Sequence, residues 1–345
     1  MLVSMLLPLP TLICATMATL CSPLLAVESD LEGFLAAWAF ELPDGNPAWL
    51  KISKDGDQLQ GWLLWSVGSA RPIHSIQIEN GVLSFDRKIK WRPSGEAVVK
   101  SITRPLQANL KDGKLQLIFT QTTEDPASTG EDEQIELMGR RIPPPPPKPD
   151  LSGVAFGNAL ELFNGQDLTG WKLSNPKKKN GWRVESGCLV NETPKQDFGA
   201  YGEFGNLRTE QEFEDFELSI EYNVPARGNS GIYLRGMYEA QVVDHDSPMQ
   251  GIQGPGAMFG RIQPSLNAGR PGGEWNTYRL TLVDRHITVV LNGKKVIDNQ
   301  LIEGCTGGGM QADDISPGPI LLQGDHTAVK YRNIRLRPVK LPAEN

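Results

Sequence analysis

The sequence predicts an all-β protein in which a small antiparallel β domain precedes a β-sandwich. Glycine and proline are abundant, with 36 and 26 copies among 345 residues. After the N-terminal segment, no window much longer than about a dozen residues keeps a helical apolar period. Short apolar runs with Asx-Gly turns fill the first half, and longer strands with a period of two fill the second. Hydrophobic residues make up 39% of the chain, which is enough to form buried cores.

The charge balance argues against a nucleic-acid partner. The chain has 34 Lys and Arg residues against 41 Asp and Glu, a net charge of -7, and it contains no basic run. A protein that binds a phosphate backbone needs clustered positive charge. We therefore expect no nucleic acid among its partners.

The N-terminal segment predicts export. Residues 1–27 contain no charged side chain, and the first charge is Glu28. Such an apolar start predicts a signal peptide cleaved near Ala26, and therefore a secreted or periplasmic protein. No Lys or Arg precedes the apolar stretch, however, and Pro8 and Pro10 interrupt it. An uncleaved N-terminal membrane anchor stays open as the alternative, since ~20 apolar residues just span a bilayer. Beyond this segment we expect no membrane association.

Only two of the four cysteines, Cys188 and Cys305, lie outside the predicted signal peptide. They either pair in an oxidising compartment or stay as two free thiols, and the sequence does not choose between these alternatives. No Cys and His residues show the spacing of a zinc site.

A run of five prolines, Pro143–Pro147, marks a boundary inside the chain. Consecutive prolines hold a stiff, extended conformation, so the segment 143–153 is predicted to link two independently folding domains. The first domain, 30–142, has Asx-Gly pairs at the ends of short apolar runs, as hairpin turns require. It is predicted to be a meander or a barrel, and its role is open. The second domain, 154–339, is the predicted sandwich.

The tryptophans of the first domain allow two interpretations. They are Trp38, Trp49, Trp62, Trp65 and Trp91. An aromatic face fits the apolar face of a sugar ring, but large aromatic side chains also fill small β cores. Core packing is the favoured interpretation.

The second domain shows the alternation of half-buried strands. Apolar and polar residues alternate from Phe216 to Val224, which predicts one buried and one solvated face. The pair Asn292-Gly293 follows a β-branched run and predicts a two-residue hairpin turn. Strands at this spacing with no helix between them indicate a sandwich.

The most informative polar residues lie on two consecutive strand-like segments on either side of Gly236. In the first segment Tyr233 and Arg235 share a face, and in the second Glu239 and Gln241 share one. If the two strands pair, Arg235, Glu239 and Gln241 meet on one sheet face. A guanidinium, a carboxylate and an amide on one face point to a polar ligand, with a solvated face as the simpler alternative.

Two later segments add candidate residues. Trp275 and Asn276 open a strand and are placed near the mouth of the site, whereas Gln323 ends a strand before a turn that contains Asp325 and His326. A lone histidine is more often structural than catalytic, but the adjacent Asp325 favours a functional role.

The glycine run Gly307–Gly309 predicts a flexible loop. No strand-to-helix transition surrounds it, so it is not predicted to bind phosphate.

Several segments of the second domain resemble the motifs of a known family, and they occur in the same order and at similar separations. They are Glu161–Trp171, Gly228–Arg235, Tyr238–Asp244, Glu274–Asn276, Leu291–Gly293 and Tyr331–Pro338. Through them residues 158–339 resemble the 3-keto-disaccharide hydrolase domain family, formerly a domain of unknown function. The family's glutamine-aspartate-histidine segment appears as Gln323-Gly-Asp-His326, with an inserted glycine. Residues 30–142 lie outside the resemblance.

The resemblance implies a concanavalin A-like jelly-roll sandwich, secreted or periplasmic, that acts on an oxidised glycoside or disaccharide. A ketone at C3 of a sugar acidifies the hydrogen on C2, so a carboxylate or an imidazole can remove it without ordinary glycosidase chemistry. Elimination of the C1 substituent and addition of water then give a net hydrolysis.

The expected residue roles follow from this chemistry. Glu239 or His326 is the acid or the base, with Asp244 as the next catalytic candidate. Arg235 or a divalent cation stabilises the enolate oxygen. The candidate metal ligands are Asp244, His245 and Asp246, although an acidic turn commonly holds only water. The sequence requires no cofactor beyond this optional ion. The expected substrate-binding residues are Arg235, Gln241, Tyr233, Trp275, Asn276 and Gln323.

Two alternatives belong to other functional classes. Lectins share the sandwich fold, so the second domain is alternatively a non-catalytic carbohydrate-binding module. A third hypothesis is a cell-surface interaction protein whose first domain binds a partner. Turnover of 3-keto glycosides separates the enzyme from both alternatives.

Overall fold

The computed structural model describes residues 31–91, 99–123, 130–194 and 203–340, so the predicted signal peptide lies outside the described residues. The described chain consists of strands, one helical turn at residues 31–34 and a 3-10 turn, Gly251–Gln253. The all-β prediction is confirmed. Within the described ranges, no helix is long and apolar enough to cross a membrane.

The N-terminal domain is an antiparallel barrel. Its strands are β1 (Ala37–Glu41), β2 (Pro47–Asp55), β3 (Gln58–Trp65), β4 (Arg71–Pro72), β5 (His74–Glu79), β6 (Val82–Trp91), β7 (Lys100–Lys111), β8 (Lys114–Gln121) and β9 (Glu133–Ile142). Their order is β4-β3-β2-β1-β9-β8-β7-β6-β5. The ring closes because β4 pairs with β3 and leads directly into β5, and the Ile73 amide between them donates to the Gly61 oxygen (2.9 Å). Of the two predicted alternatives, the structure forms the barrel.

Side chains that point into the barrel form its core. The largest are Phe34, Trp38, Phe40, Phe85 and Phe119. Successive residues of a strand point to opposite sides, so Ala39, Trp49 and Leu64 point out of the barrel, yet they are buried as well. These three belong to the core of the second domain. The outer face of β1, β2 and β3 is therefore a packing surface.

The tryptophans of the barrel do not share one face. Trp38 lies inside the barrel and Trp49 lies against the second domain, whereas Trp62 is 44% exposed. Trp65 is half-buried, and the side chain of Trp91 lies outside the described residues. Core packing therefore accounts for Trp38 and Trp49, and the described tryptophans form no common sugar-stacking platform.

The C-terminal domain is a sandwich of two antiparallel sheets. Its strands are β10 (Leu160–Glu161), β11 (Trp171–Leu173), β12 (Trp182–Glu185), β13 (Cys188–Asn191), β14 (Leu207–Thr209), β15 (Phe216–Asn223), β16 (Asn229–Leu234), β17 (Tyr238–Val243), β18 (Trp275–Val283), β19 (His286–Leu291), β20 (Lys294–Leu301), β21 (Leu321–Leu322) and β22 (Val329–Pro338). The eight-stranded sheet has the order β12-β13-β22-β15-β18-β19-β20, with β10 also pairing with β22. The five-stranded sheet has the order β11-β14-β21-β16-β17. The predicted concanavalin A-like jelly-roll sandwich is confirmed.

Local patterns explain how the sandwich forms. In β15 the apolar residues from Phe216 to Tyr222 are buried, and the intervening residues are half-exposed. Asn292 and Gly293 both have positive φ, 50° and 78°, which is the geometry of the favoured two-residue hairpin turn. The apolar faces of the two sheets meet in one large core.

The proline-rich linker lies along the sandwich and does not hold the domains apart. The Pro143 oxygen accepts a hydrogen bond from Arg285 Nη1 (3.0 Å), and the Pro149 oxygen accepts one from Asn299 Nδ2 (2.9 Å). The sequence predicted a spacer, but the two domains share a core through Trp49, because outward positions of the barrel strands are apolar. Whether each domain folds alone stays a prediction.

The cysteine question is answered by the structure. Cys188 and Cys305 are both free, so the pairing alternative is wrong. Cys305 is buried, and burial raises the pKa of its thiol to about 12.

Candidate active site

The pairing of β16 with β17 brings the candidate polar residues together. Tyr233 lies opposite Glu239, and Gly231 lies opposite Gln241. The residues between them on both strands point into the core. Gly231, Tyr233, Glu239 and Gln241 therefore point to the opposite side of the five-stranded sheet. We call this side the site face; it carries Gly231, Tyr233, Glu239, Gln241 and Gln323.

Glu239 is the central titratable group of the site face. It is only 4% exposed, and its side chain lies across Gly231. A Cβ at position 231 would overlap Glu239 Oε1 and lie 2.8 Å from its Cδ. Burial raises the pKa of the Glu239 carboxyl to about 8; a hydrogen bond with Tyr233 lowers it and the nearby Asp325 raises it. At neutral pH this carboxyl is protonated.

Tyr233 and Gln323 flank this carboxyl. The Tyr233 hydroxyl donates to the Gly307 oxygen (3.0 Å), and Gln323 Nε2 donates to the hydroxyl oxygen (3.4 Å). The backbone amide of Gln323 donates to the backbone oxygen of Gly231 (2.9 Å), and this bond joins the end of β21 to β16. Gln323 Oε1 is buried and has no hydrogen-bond partner among the described residues. A substrate hydroxyl would satisfy it.

Asp325 and His326 form a half-buried pair just after β21. His326 Nδ1 lies 2.5 Å from Asp325 Oδ1. A carboxylate that accepts the Nδ1 hydrogen fixes the ring and places the lone pair of the neutral imidazole on Nε2. The charge of Asp325 also raises the pKa values of Glu239 and Tyr233. The pair therefore lies within electrostatic reach of the site face.

The inserted Gly324 fits a tight position. A Cβ there would lie 2.6 Å from Trp182 Nε1, so the residue must be small. Its oxygen accepts hydrogen bonds from Asn191 Nδ2 (3.0 Å) and Thr193 Oγ1 (2.5 Å). The insertion is thus anchored in the sandwich.

Gln241 shares the site face as predicted, but its amide is already engaged. Gln241 Nε2 donates to the Gln253 oxygen (3.0 Å), and Gln241 Oε1 accepts from the Val242 amide (3.2 Å). Gln241 therefore anchors the segment around Gln253 over the sheet.

Arg235 is not on the site face, so the parity prediction for it is wrong. It follows the last residue of β16 and has a positive φ of 53°, which ends the strand alternation. Its Nε donates to the Glu214 oxygen (2.6 Å), and its Nη2 pairs with Asp215 Oδ1 (2.5 Å). The guanidinium therefore holds the loop that contains Glu214 and Asp215, and it points away from Glu239.

Trp275 and Asn276 also lie elsewhere, because β18 belongs to the eight-stranded sheet. Arg332 stacks on the Trp275 ring at 3.9 Å. Asn276 Oδ1 accepts from the Arg270 amide (2.9 Å) and from Asn292 Nδ2 (2.8 Å). Both residues have structural contacts, and their predicted place at the mouth of the site is wrong.

The candidate metal ligands do not converge. Asp244 is buried and its Oδ1 accepts from the Arg227 amide (3.0 Å), while Asp246 is exposed. His245 is exposed, with Nδ1 3.1 Å from the Gly269 oxygen. In the described parts of the chain, no three His, Cys, Asp or Glu side chains are placed to hold a metal ion. The predicted site is therefore wrong, and Asp244 instead fixes a turn.

Sequence reasoning missed the loop that covers the site face. Thr306 Oγ1 accepts from the Glu239 amide (2.9 Å) and donates to the Met237 oxygen (2.9 Å). The adjacent Gly307 accepts from Tyr233. The glycine run is the available signal, but by itself it predicts only a flexible loop.

A second buried polar cluster lies in the same domain. Asp314 Oδ2 accepts from Arg285 Nη2 and from the Gly304 amide, both at 2.9 Å, and Oδ1 accepts from the Tyr238 hydroxyl (3.1 Å). Burial raises the pKa of Asp314 above its usual value, although Arg285 opposes this shift. This cluster holds loops in place and lies on the core side of β17, because Tyr238 points into the core.

Comparison with known proteins decides the family. Residues 158–337 match the model of the 3-keto-alpha-glucoside-1,2-lyase-like domain. The chain belongs to this family. The resemblance read from the sequence is confirmed, and the sandwich is a carbohydrate-active domain. The barrel lies outside the match.

Relatives and solved structures are similar to parts of this chain. A curated 3-keto-disaccharide hydrolase from Bacteroides thetaiotaomicron is 23% identical over 41% of this chain and 58% of its own length. The chain thus spans a little over half of that relative. A candidate glycosyl hydrolase from Parabacteroides distasonis is 30% identical with a TM-score of 0.44, and the match covers 56% of this chain and 93% of that one. A family GH16 endo-beta-1,3(4)-glucanase is 14% identical with a TM-score of 0.35, and the match covers 57% and 95%.

Proposed function

We propose that this chain is an exported enzyme that cleaves 3-keto glycosides or disaccharides. The observation that carries the proposal is the buried Glu239 carboxyl on the site face, which lies close enough to the Asp325–His326 pair for the charge of Asp325 to raise its pKa. Membership of the family supports a sugar substrate, and the name of the Bacteroides relative supports a 3-keto sugar. The charge-free residues 1–27 support export.

His326 is assigned the role of the base. A ketone at C3 acidifies the hydrogen on C2, and His326 Nε2 takes that proton. The electron pair of the broken C2–H bond moves into the enolate. Asp325 holds the ring through Nδ1 and stabilises the imidazolium that forms.

Glu239 is assigned the role of the acid. The enolate collapses to a double bond between C1 and C2, the C1–O bond breaks, and the leaving oxygen takes the Glu239 proton. A carboxyl with a pKa of about 8 carries this proton at neutral pH, which an ordinary glutamate does not.

Water then restores both groups. The Glu239 carboxylate takes a proton from a water molecule as the oxygen of that water adds to C1. The His326 imidazolium returns its proton to C2. The net reaction is hydrolysis, and acid and base end as they began. If the intermediate leaves before water adds, the same residues perform a lyase reaction.

Gln323 takes the place that sequence reasoning gave to Arg235. One hydrogen of Gln323 Nε2 is donated to the Tyr233 hydroxyl, and the second is available to stabilise a developing enolate oxygen in a dry site. The buried Oε1 of Gln323 is suited to accept a sugar hydroxyl.

The test is turnover of a panel of 3-keto glucosides by wild type, Glu239→Gln and His326→Ala, with binding measured separately. We expect each substitution to lower kcat by ~10²-fold or more while affinity changes little. Glu210→Gln, at an exposed position after β14, is the matched control and should retain full activity. Binding without turnover by the wild type would favour the carbohydrate-binding alternative, and full activity of Glu239→Gln would remove Glu239 from the mechanism.

A further inference from the structure

The barrel reaches the site face through the loop Ser66–Ser69, which connects β3 to β4. Ser66 and Gly68 both have positive φ, 65° and 78°, and the turn leaves Val67 72% exposed. The Ser66 oxygen accepts the Gly308 amide (3.0 Å), and Ser69 Oγ accepts Gln253 Nε2 (3.1 Å). The loop therefore bonds to two segments of the sandwich domain.

The first of these segments is the glycine run. Gly307 binds the Tyr233 hydroxyl on one side and packs against the backbone of Gly68 on the other. A Cβ at position 307 would overlap both the oxygen and the nitrogen of Gly68. The glycine segment is thus held between the site face and the barrel loop, with no room for a side chain.

The second segment runs from Gln253 to Gly260. The backbone oxygen of Gln253 accepts from the Gln241 side chain, and the Phe259 amide donates to the backbone oxygen of Glu239 (2.9 Å). Gly260 lies against the barrel loop, since a Cβ there would lie 2.6 Å from Ser69 Oγ. Both segments that cover the site face are therefore braced by the same four barrel residues.

We propose that the barrel domain forms one wall of the substrate site, in which the loop Ser66–Ser69 positions Gly307 and the Gln253–Gly260 segment over Glu239. This inference rests on the proposed function and gives the N-terminal domain a part in it. The loop residues are positioning residues, because none of them touches the acid or the base.

The wall has a measurable consequence for Glu239. The Tyr233 hydroxyl and the Asp325 carboxylate act on the pKa of Glu239, and the charge of Glu239 acts in turn on Tyr278 and Tyr331. Exclusion of water is the largest cause of the raised pKa. Loosening the wall admits water and lowers the pKa of Glu239 toward its usual value of 4.5.

Two glycine-to-alanine variants of the full chain test the wall. Gly307→Ala places a methyl group against the barrel loop, whereas Gly309→Ala places one against oxygens of the sandwich domain only. The pKa of Glu239 is read by NMR of the labelled carboxyl, with Glu239→Gln identifying the signal, and needs no substrate. We expect Gly307→Ala to lower that pKa by about one unit or more and Gly309→Ala to leave it unchanged. The alkaline limb of kcat against pH should move with it.

A second pair of variants with smaller structural changes tests the wall in case Gly307→Ala does not fold. Ser69→Ala removes only the acceptor of Gln253, and Ser101→Ala at an exposed position of β7 is its control. We expect a smaller shift in the same direction for Ser69→Ala and no shift for Ser101→Ala. An unchanged Glu239 pKa in folded Gly307→Ala and Ser69→Ala, or an equal shift in Gly309→Ala, overturns the wall. Absence of turnover in the wild type overturns the proposed function instead, and the carboxyl titration still decides on the wall.

Discussion

The C-terminal domain buries two carboxyl groups on opposite sides of the same strand pair, and it treats them differently. Asp314 is 0% exposed and accepts hydrogen bonds from Arg285, from Tyr238 and from a backbone amide. Glu239 is nearly as buried, but the groups that act on its pKa are the Tyr233 hydroxyl and the Asp325 carboxylate. One carboxyl has a cationic partner, and the other has a neighbouring anion.

The difference separates a carboxyl with structural contacts from the proposed acid. A buried carboxyl that stays ionised needs a counter-charge and donors, because desolvation of an unpaired charge is very costly. Arg285 supplies the counter-charge for Asp314 and also binds the linker oxygen of Pro143, so this cluster ties the domain junction together. Among the described residues no cation pairs with Glu239 in this way, and burial raises the pKa of its carboxyl to about 8. A carboxyl whose pKa is raised by burial on a polar sheet face is the expected signature of an acid catalyst.

The largest expected effect is the loss of stability in Asp314→Asn. The substitution leaves the Arg285 guanidinium buried without its counter-charge, which typically costs about 3–5 kcal/mol. Urea unfolding at pH 7 measures the free energy of unfolding. Glu239→Gln is the matched control, since it replaces a neutral acid by a neutral amide, and should not lose stability at pH 7, because the variant does not carry the cost of keeping the carboxyl protonated above its unfolded pKa of 4.5. Equal costs for the two variants would contradict the contrast between the clusters.

The pH dependence of stability should distinguish the same two residues. The folded-state pKa of Glu239, about 8, lies above its unfolded value of 4.5, so the folded state binds the extra proton between these values. The free energy of unfolding of the wild type should therefore fall as pH rises through this window and level off above it. Glu239→Gln lacks this contribution, so its stability relative to wild type should rise from pH 5 to pH 9. If the difference in the free energy of unfolding between wild type and Glu239→Gln stays constant from pH 5 to pH 9, Glu239 does not retain its proton in the folded state.

Most of the fold could be predicted because it is encoded by local patterns. The alternation in β15 and the Asn292-Gly293 turn need only neighbouring residues. The contact between the domains could not be predicted in the same way, because Trp49 and Leu64 occupy outward positions that only a docked partner buries. Successive buried residues such as Trp49 and Leu50 were the available sign that β2 has two covered faces.

The candidate site was only partly predictable, for a related reason. Glu239 and Gln241 were placed on one face by strand parity, which is a local rule. Arg235 broke the rule because its φ of 53° turns the chain at the strand end, and nothing about an arginine announces that conformation. Trp275 and Asn276 were misplaced because the sheet to which a strand belongs depends on long-range pairing.

The smallest expected effect concerns the glycine beneath the acid. Gly231→Ala adds a methyl group that overlaps Glu239 Oε1, so the carboxyl must move. Since overpacking of a filled region costs about 1–3 kcal/mol, we expect a loss of stability in this range and a fall in kcat, both measured as for the variants above. Gly231 has no positive φ, and an alanine backbone is therefore tolerated there.

A double-mutant cycle isolates that contact from every other effect of the added methyl group. In a Glu239→Ala background the space across position 231 is open, so the same Gly231→Ala substitution should cost little. The coupling between the two substitutions should then equal most of the single-variant loss, since the methyl group's nearest contacts are all atoms of the Glu239 side chain. If Gly231→Ala destabilises both backgrounds equally, the strain lies in the strand itself. The glycine would then have no part in seating the acid, and the position of Glu239 would depend on Tyr233 and the covering loops alone.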